Sequence, residues 1–444
     1  MTPSHKREFD PRGLIIVGAI VTLVALLIAL LAPKRPSAAR RAVETRLAQL
    51  RADGIPVTAE EIGCALPDPP PERDARFLLD EALNFSAGPA SKNVPVVSDA
   101  MPRRGVQIPD AMMQDMEAFL ANSDRLLAAI PDDLAGVRFS MGWTNGFTNL
   151  LPSVLVEVRQ LQQRLAVKTL YESCRGNAPG AAESLAKGFG VAATVNDDTL
   201  VDKMVGVASA GIMCDAAEQA LNRVQFTTEE LQRIDAQVKP ERIDDFNNTF
   251  MVERHLGVLT FNDMQHSTRG LRRVFVNLVL RFRGRKPLYR DEDYLLFLNF
   301  NEQQIKLHSR PLLERVRGYK QITANFMTNA SSLTAEMVMP SWSKAMRTAA
   351  EIKARLIAFK TALAIERFRL ANSNALPATL DVLVPNYCAS APRDPFDEQP
   401  LRYKKLSRGY VLYSIGADGV DDGGAERTNP KNMSDYDLTI TVER

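Results

Sequence analysis

Five aspartates near the C-terminus are the residues of this chain best placed to do chemistry. Asp418, Asp421 and Asp422 stand in a loop with Gly416, Gly419, Gly423 and Gly424, and Asp435 and Asp437 follow at the start of a strand-like stretch. Calcium takes about six to eight oxygen ligands, and carboxylates and carbonyls on a flexible loop can supply them. Glycines let the backbone turn tightly enough to aim its carbonyls inward. The residue types therefore allow a calcium site built from Asp418, Asp421, Asp422, Asp435 and Asp437. The spacing is not that of an EF-hand, and Asp and Gly also make plain solvated turns.

Other reactive types are scattered. Glu253, Arg254 and His255 are consecutive, but adjacent helix positions diverge by about 100° and cannot meet on one substrate. A surface ion pair or a core polar contact is the expectation there. No P-loop, G-x-S-x-G, H-E-x-x-H or G-x-G-x-x-G pattern occurs. The four histidines (His5, His255, His266 and His308) show no metal-ligand spacing, and the four cysteines form no C-x-x-C pair. Cys174 and Cys214 fall on predicted helices and can pair in an oxidising compartment; the alternative is four buried thiols acting as small hydrophobes. No enzymatic activity is expected. A net charge of +2, from 55 basic and 53 acidic residues, gives no nucleic-acid footprint.

The elements that position these residues begin with an apolar run. Residues 13–32 carry no charge, and as a helix would span the roughly 30 Å core of a bilayer. Lys6, Arg7 and Arg12 precede it, and Lys34, Arg35, Arg40 and Arg41 follow. The run is longer than a signal-peptide core, so it reads as an uncleaved anchor after an N-terminal tail, residues 1–12. Basic residues on both flanks leave its orientation open. Residues 33–108 form a helical linker region with a proline-rich segment at 67–71, and Thr58 and Glu61 suit a capping box. Residues 109–340 show apolar residues at i, i+3 and i+4 spacing. The pattern predicts helices over 109–130, 151–175, 179–194, 200–223, 228–238, 244–259, 269–281 and 292–316, with another over 341–370 beyond. The stretch 151–239 is similar to a tetratricopeptide-type array but has no fixed 34-residue period, so an irregular helical domain is the expectation. The helix over 269–286 carries seven Arg and Lys around an apolar strip; it reads as a membrane-surface helix or as a core helix with a solvated basic end.

The tail from about residue 364 resembles the C-terminal module of the major pseudopilin of type II secretion systems. Pro377-Ala378-Thr379-Leu380 matches the family's turn after its helix. Pro392-Arg393-Asp394-Pro395-Phe396, then Pro400, Leu401 and Tyr403, match its "P-x-D-P-[FW]-x-x-P-x-x-Y" segment with one extra residue. Tyr410-Val411-Leu412-Tyr413-Ser414-Ile415-Gly416-Ala417-Asp418-Gly419 matches the strand and loop that follow. The resemblance implies a small α+β module stabilised by calcium at the acidic loop, packed in this longer chain against its own helix over 341–370. The family's Glu at the fifth position of the membrane helix is here Gly18, which argues against processing after Gly13 and filament assembly. The whole layout also resembles membrane-anchored proteins of unassigned function from planctomycete-type bacteria.

The resulting expectation is a mainly α chain. It has a transmembrane helix (13–32), a helical-hairpin-like domain (109–340) and a pseudopilin-like module (341–444). It would be a single-pass inner-membrane protein, mostly periplasmic, with a structural or protein-interaction role and a link to type II secretion. Its partners would be the bilayer and a protein, without nucleic acid. An atypical pseudopilin and an envelope hydrolase with a hidden site are the alternatives.

Overall fold

A computed structural model describes residues 37–84, 94–95, 102, 104–121, 123–139, 152–195, 198–267, 271–339, 341–426 and 436–444. The expected anchor, 13–32, lies outside the described residues. No described helix is long and apolar enough to cross a membrane. The chain is mainly helical and closes with a small three-stranded antiparallel sheet. The longer helices are α1 (Ala38–Ala52), α2 (Asp110–Phe119), α3 (Pro152–Cys174), α4 (Ala178–Thr194), α5 (Leu200–Leu221) and α6 (Thr228–Gln237). They continue with α7 (Asn247–Ser267), α8 (Leu271–Phe282), α9 (Asp291–His308), α10 (Leu312–Asn329) and α11 (Trp342–Ala371). The strands are β1 (Arg402–Lys405), β2 (Tyr410–Ser414) and β3 (Leu438–Val442).

The described residues within 55–255, 300–325 and 341–444 form one compact unit; those within 37–54, 256–299 and 326–339 form another. In the larger unit α3, α4 and α5 pack on one another, and α11 packs on α5 and α6. Small residues line the contacts: Ala181, Ala182 and Ala186 on α4, Ala210, Ala216 and Ala217 on α5, and Ala350, Ala354 and Ala358 on α11, all buried. Side chains of this size let helix axes approach closely. Larger groups fill the remaining space, with Phe189 stacked on Phe359 at 5.5 Å between centroids. The turn at 175–178 joins α3 to α4 through Gly176, at φ +75°, and Asn177, whose side chain accepts from Gly180 N and caps α4. A second aromatic group gathers Phe246, Phe250, His308, Tyr319 and Trp342.

In the smaller unit Phe261 stacks on Tyr294 at 4.6 Å, and Gly257 leaves room for the ring of Phe297. Ser37 caps α1 and donates to Asp291 Oδ2 at 3.0 Å.

Where helix boundaries differ from the sequence pattern, local chemistry explains them. The predicted 292–316 helix is two helices, because Pro311 has no N–H to donate and crowds the preceding turn. The predicted 109–130 helix also divides, ending at Phe119 and restarting at Ser123, a residue type that competes for backbone hydrogen bonds. The helix predicted at 244–259 starts instead at Asn247, whose N–H is taken by the Asp245 side chain at 3.1 Å, and continues to Ser267. The capping box at Thr58 and Glu61 is present. Among the described residues all four cysteines are free thiols; Cys64 is exposed, which corrects the reading of four buried ones.

β1, β2 and β3 lie in that order, with Arg402 opposite Tyr413 and Leu412 opposite Ile440. Every residue of β2 is buried. The sheet lies against α11. There Glu366 takes hydrogen bonds from Tyr410 Oη at 3.0 Å, Arg369 Nη1 at 2.9 Å and Arg444 Nη2 at 2.6 Å. The outer edge of β3 is covered too. Thr441 N donates to Glu218 Oε1 at 2.9 Å, and Asn222 bonds Thr441 O and Glu443 N. An edge strand so occupied cannot recruit a foreign strand at those groups.

Candidate metal centre

The tail loop is held by two buried aspartates that do different work. Asp394 is fully buried. Its Oδ1 accepts from Phe396 N at 3.0 Å and Ser414 Oγ at 2.8 Å; its Oδ2 accepts from Ile415 N and Arg402 Nη1, both at 2.9 Å. Four donors fill the carboxylate, so it is a structural hub joining the turn before β1 to the end of β2. Arg402 carries that hub outward. It grips Asp397 through two hydrogen bonds, 3.1 and 2.6 Å, and points Nε at Asp421 Oδ2, 3.4 Å away. The Arg402 hydrogen bonds hold the Asp397 carboxyl below its ordinary range.

The predicted ligands fall around this network unevenly. Asp418 is half-buried, and its Oδ1 accepts from Val420 N at 3.1 Å. Asp421 and Asp422 are exposed; Asp421 Oδ1 accepts from Gly423 N at 2.9 Å. Asp435 lies outside the described residues. Asp437 is only 4% exposed, and its Oδ2 accepts from Gly424 N at 2.7 Å. Its Oδ1 has no hydrogen-bond partner among the described residues. Burial pushes the Asp437 carboxyl above its ordinary value; the Gly424 and Asp422 N–H groups oppose this, and the Asp421 and Asp422 charges add to it. Gly416, Gly419, Gly423 and Gly424 all have φ between 70° and 79°, which closes the loop in the left-handed region.

Among the described predicted ligands, the atom without a donor is Asp437 Oδ1. A buried carboxylate oxygen without a donor, beside two more carboxylates, is the environment a divalent ion relieves. Asp421 already has a positive neighbour in Arg402, and among the described residues no group of three His, Cys, Asp or Glu side chains gathers closely enough to hold a metal. Asp437 is the predicted ligand the geometry favours, with Asp421 and Asp422 as its nearest acidic neighbours. Arg402, Asp394 and Asp397 form a charge network that the sequence pattern alone does not mark. The signal available was an arginine between two D-x-x motifs and the acidic loop.

The other candidates serve the fold. Glu253 accepts from Leu200 N at 2.7 Å, at the start of α5, while His255 Nδ1 lies 3.1 Å from Val57 O. Arg254 is 4% exposed, and burial lowers its guanidinium to about 10. A polar cleft of about 540 Å³ contains Asp124, Lys168, Glu172 and Arg175. Lys168 bonds Asp124 at 3.0 Å and Glu172 at 2.5 Å; burial opposes its charge, but the two carboxylates outweigh it and hold the ammonium above its usual value. Glu172 also takes the Asn177 amide at 2.8 Å, so these acids brace the α3–α4 turn.

No family model, curated protein or solved structure matches this chain.

Proposed function

We propose that the chain is a non-enzymatic, single-pass membrane protein of a bacterial envelope, with its helical body and its pseudopilin-like tail outside the cytoplasm. Its role is structural or interactive, near a secretion apparatus of type II. Residues 13–32 hold it in the inner membrane, the small-residue helical body offers grooves to a protein partner, and calcium locks the tail. When bound, calcium would neutralise the Asp437 carboxylate; Asp421, Asp422 and Asp437 do not by themselves gather closely enough to hold it.

The observation that carries this reading is the pairing of a buried, half-satisfied Asp437 with a sheet that rests on the end of a 30-residue helix. A cation-dependent module needs free calcium, which an extracytoplasmic compartment supplies.

A reporter fused after Arg444 tests it. An exported-only reporter such as alkaline phosphatase should be active there, and a cytoplasm-only fluorescent reporter should be dark. The reverse pattern would overturn the proposal.

A further inference from the structure

The helix α8 ends in a surface that its own unit leaves uncovered. Phe275, Leu278 and Phe282 are 68%, 50% and 84% exposed. At about 100° per residue they fall within one stripe roughly 60° wide. Val276, Asn277, Val279 and Leu280 are half-buried, so the helix is seated by its other side. Asn277 Oδ1 helps fix that seat by accepting from Leu288 N at 3.2 Å. Two aromatic rings and a leucine in solvent are a costly arrangement for a short helix, at about 25 cal/mol for each Å² of apolar surface.

The charge around the stripe has one sign. Arg281, Arg283 and Arg285 are exposed and make no ion pair among the described residues, whereas Lys286 is taken by Glu336 at 2.9 Å. Gly284, at φ +64°, turns the chain after the helix, and Arg285 N returns to Leu280 O at 2.8 Å. Three arginines with no ion-pair partner among the described residues therefore gather at the C-terminal end of α8, next to Phe282.

The third observation is where the chain leads. The loop after α8 passes through Tyr289 and reaches Asp291, which accepts from Ser37 Oγ at 3.0 Å at the start of α1. Arg40, in the first turn of α1, interacts with the Tyr289 hydroxyl. Ala32, the last residue of the apolar run, is five residues before Ser37. Five residues reach at most about 18 Å. The basic end of α8 is thus two short segments, 285–291 and 32–37, from the place where the chain would leave the membrane, together reaching at most about 40 Å.

We propose that α8 lies on the anionic lipid surface of the leaflet from which residues 13–32 emerge. Phe275, Leu278 and Phe282 sit at the acyl boundary, and Arg281, Arg283 and Arg285 face lipid phosphates. The inference rests on the anchored reading of residues 13–32. A second copy of the chain is the poorer occupant, because it would set three arginines against three arginines. A bilayer accepts both halves of the surface, since rings and aliphatic stems bury while guanidinium groups remain at the headgroups.

The test uses the full chain in nanodiscs, with Phe282→Trp as the reporter and the parental chain as the background for Trp143 and Trp342. Lipids carry a spin label on the fifth acyl carbon, and discs contain phosphatidylcholine alone or with phosphatidylglycerol. The expected result is quenching of the added emission in the anionic discs, at least twice that in neutral discs. Each arginine near an anionic surface is worth about five-fold in partitioning. Combining Arg281→Glu, Arg283→Glu and Arg285→Glu should return quenching to the neutral-disc level. Quenching no greater than background in anionic discs would overturn the proposal and leave the face to a protein partner. Equal quenching in both discs would overturn its anionic part. A chain that does not enter the discs would overturn the anchored reading itself, and with it the shared leaflet.

Discussion

Asp394→Asn is the sharpest perturbation of the tail. The carboxylate is fully buried and accepts four hydrogen bonds, two on each oxygen. An amide can replace one oxygen but must set an N–H₂ against two donors on the other side. The cheaper orientation keeps Ile415 N and Arg402 on the remaining oxygen and strands Phe396 N, while Ser414 Oγ must reverse its bond. An orphaned buried N–H costs about 1–3 kcal/mol, and weakening a charge-assisted bond to Arg402 adds about 1 kcal/mol. The sum is about 3 kcal/mol, or roughly a hundred-fold in an opening equilibrium. Hydrogen exchange followed by mass spectrometry on peptides covering 410–416 measures it, since β2 is buried throughout. The control is Asp397→Asn, where the partly exposed pair with Arg402 should cost about 1 kcal/mol or less. Exchange of β2 in the Asp394 variant within threefold of the parental chain would refute the claim that this carboxylate is the hub.

Three further outcomes follow from the same contacts. Gly409→Ala places a Cβ against the Val442 carbonyl at φ +81°, so the tail should melt at least about 4 °C lower; an unchanged melt would contradict the turn geometry. With calcium chelated, the folded-state pKa of Asp437 lies above its unfolded value, near about 3.9, so the folded tail retains a proton that the unfolded chain has lost. Stability from this group therefore falls as pH rises through that window, and Asp437→Asn should be the more stable form at pH 7, with the gap closing below about pH 4. Denaturant titrations of both proteins across that range would show no such pH-dependent gap if Asp437 were well solvated. Maleimide should label exposed Cys64 first and Cys214 last, since burial pushes the Cys214 thiol up to about 12; mass spectrometry of the labelled peptides decides the order.

Much of the helical body is legible in the residue pattern because its helices carry their own start and stop signals. Thr58, Asn177, Thr199 and Thr227 each accept a backbone N–H at a helix start. The stretch after 316 carries no clear helical pattern, because Lys320, Gln321 and Thr323 dilute the apolar spacing of α10. Its continuation is set by tertiary contacts such as Tyr319 against Trp342, 6.5 Å between centroids. β1 has no strand signature for a related reason: Arg402-Tyr403-Lys404-Lys405 is polar and becomes a strand by pairing with β2. Within the loop, residue types mark five aspartates alike, but only the fold separates them. Asp437 is buried beside Gly424, while Asp421 is claimed by Arg402, a partner nineteen positions earlier. Such a long-range charge pair leaves no periodic trace in sequence.

The tail as a calcium-locked unit is the centre of the account, and hydrogen exchange of the full chain with and without calcium tests it most directly. Peptides covering 410–416 and 436–442 should exchange more slowly in calcium than in chelator, with one bound ion by native mass spectrometry, and Asp437→Asn should abolish the difference. Superimposable exchange in the two conditions, with no metal bound, would contradict it.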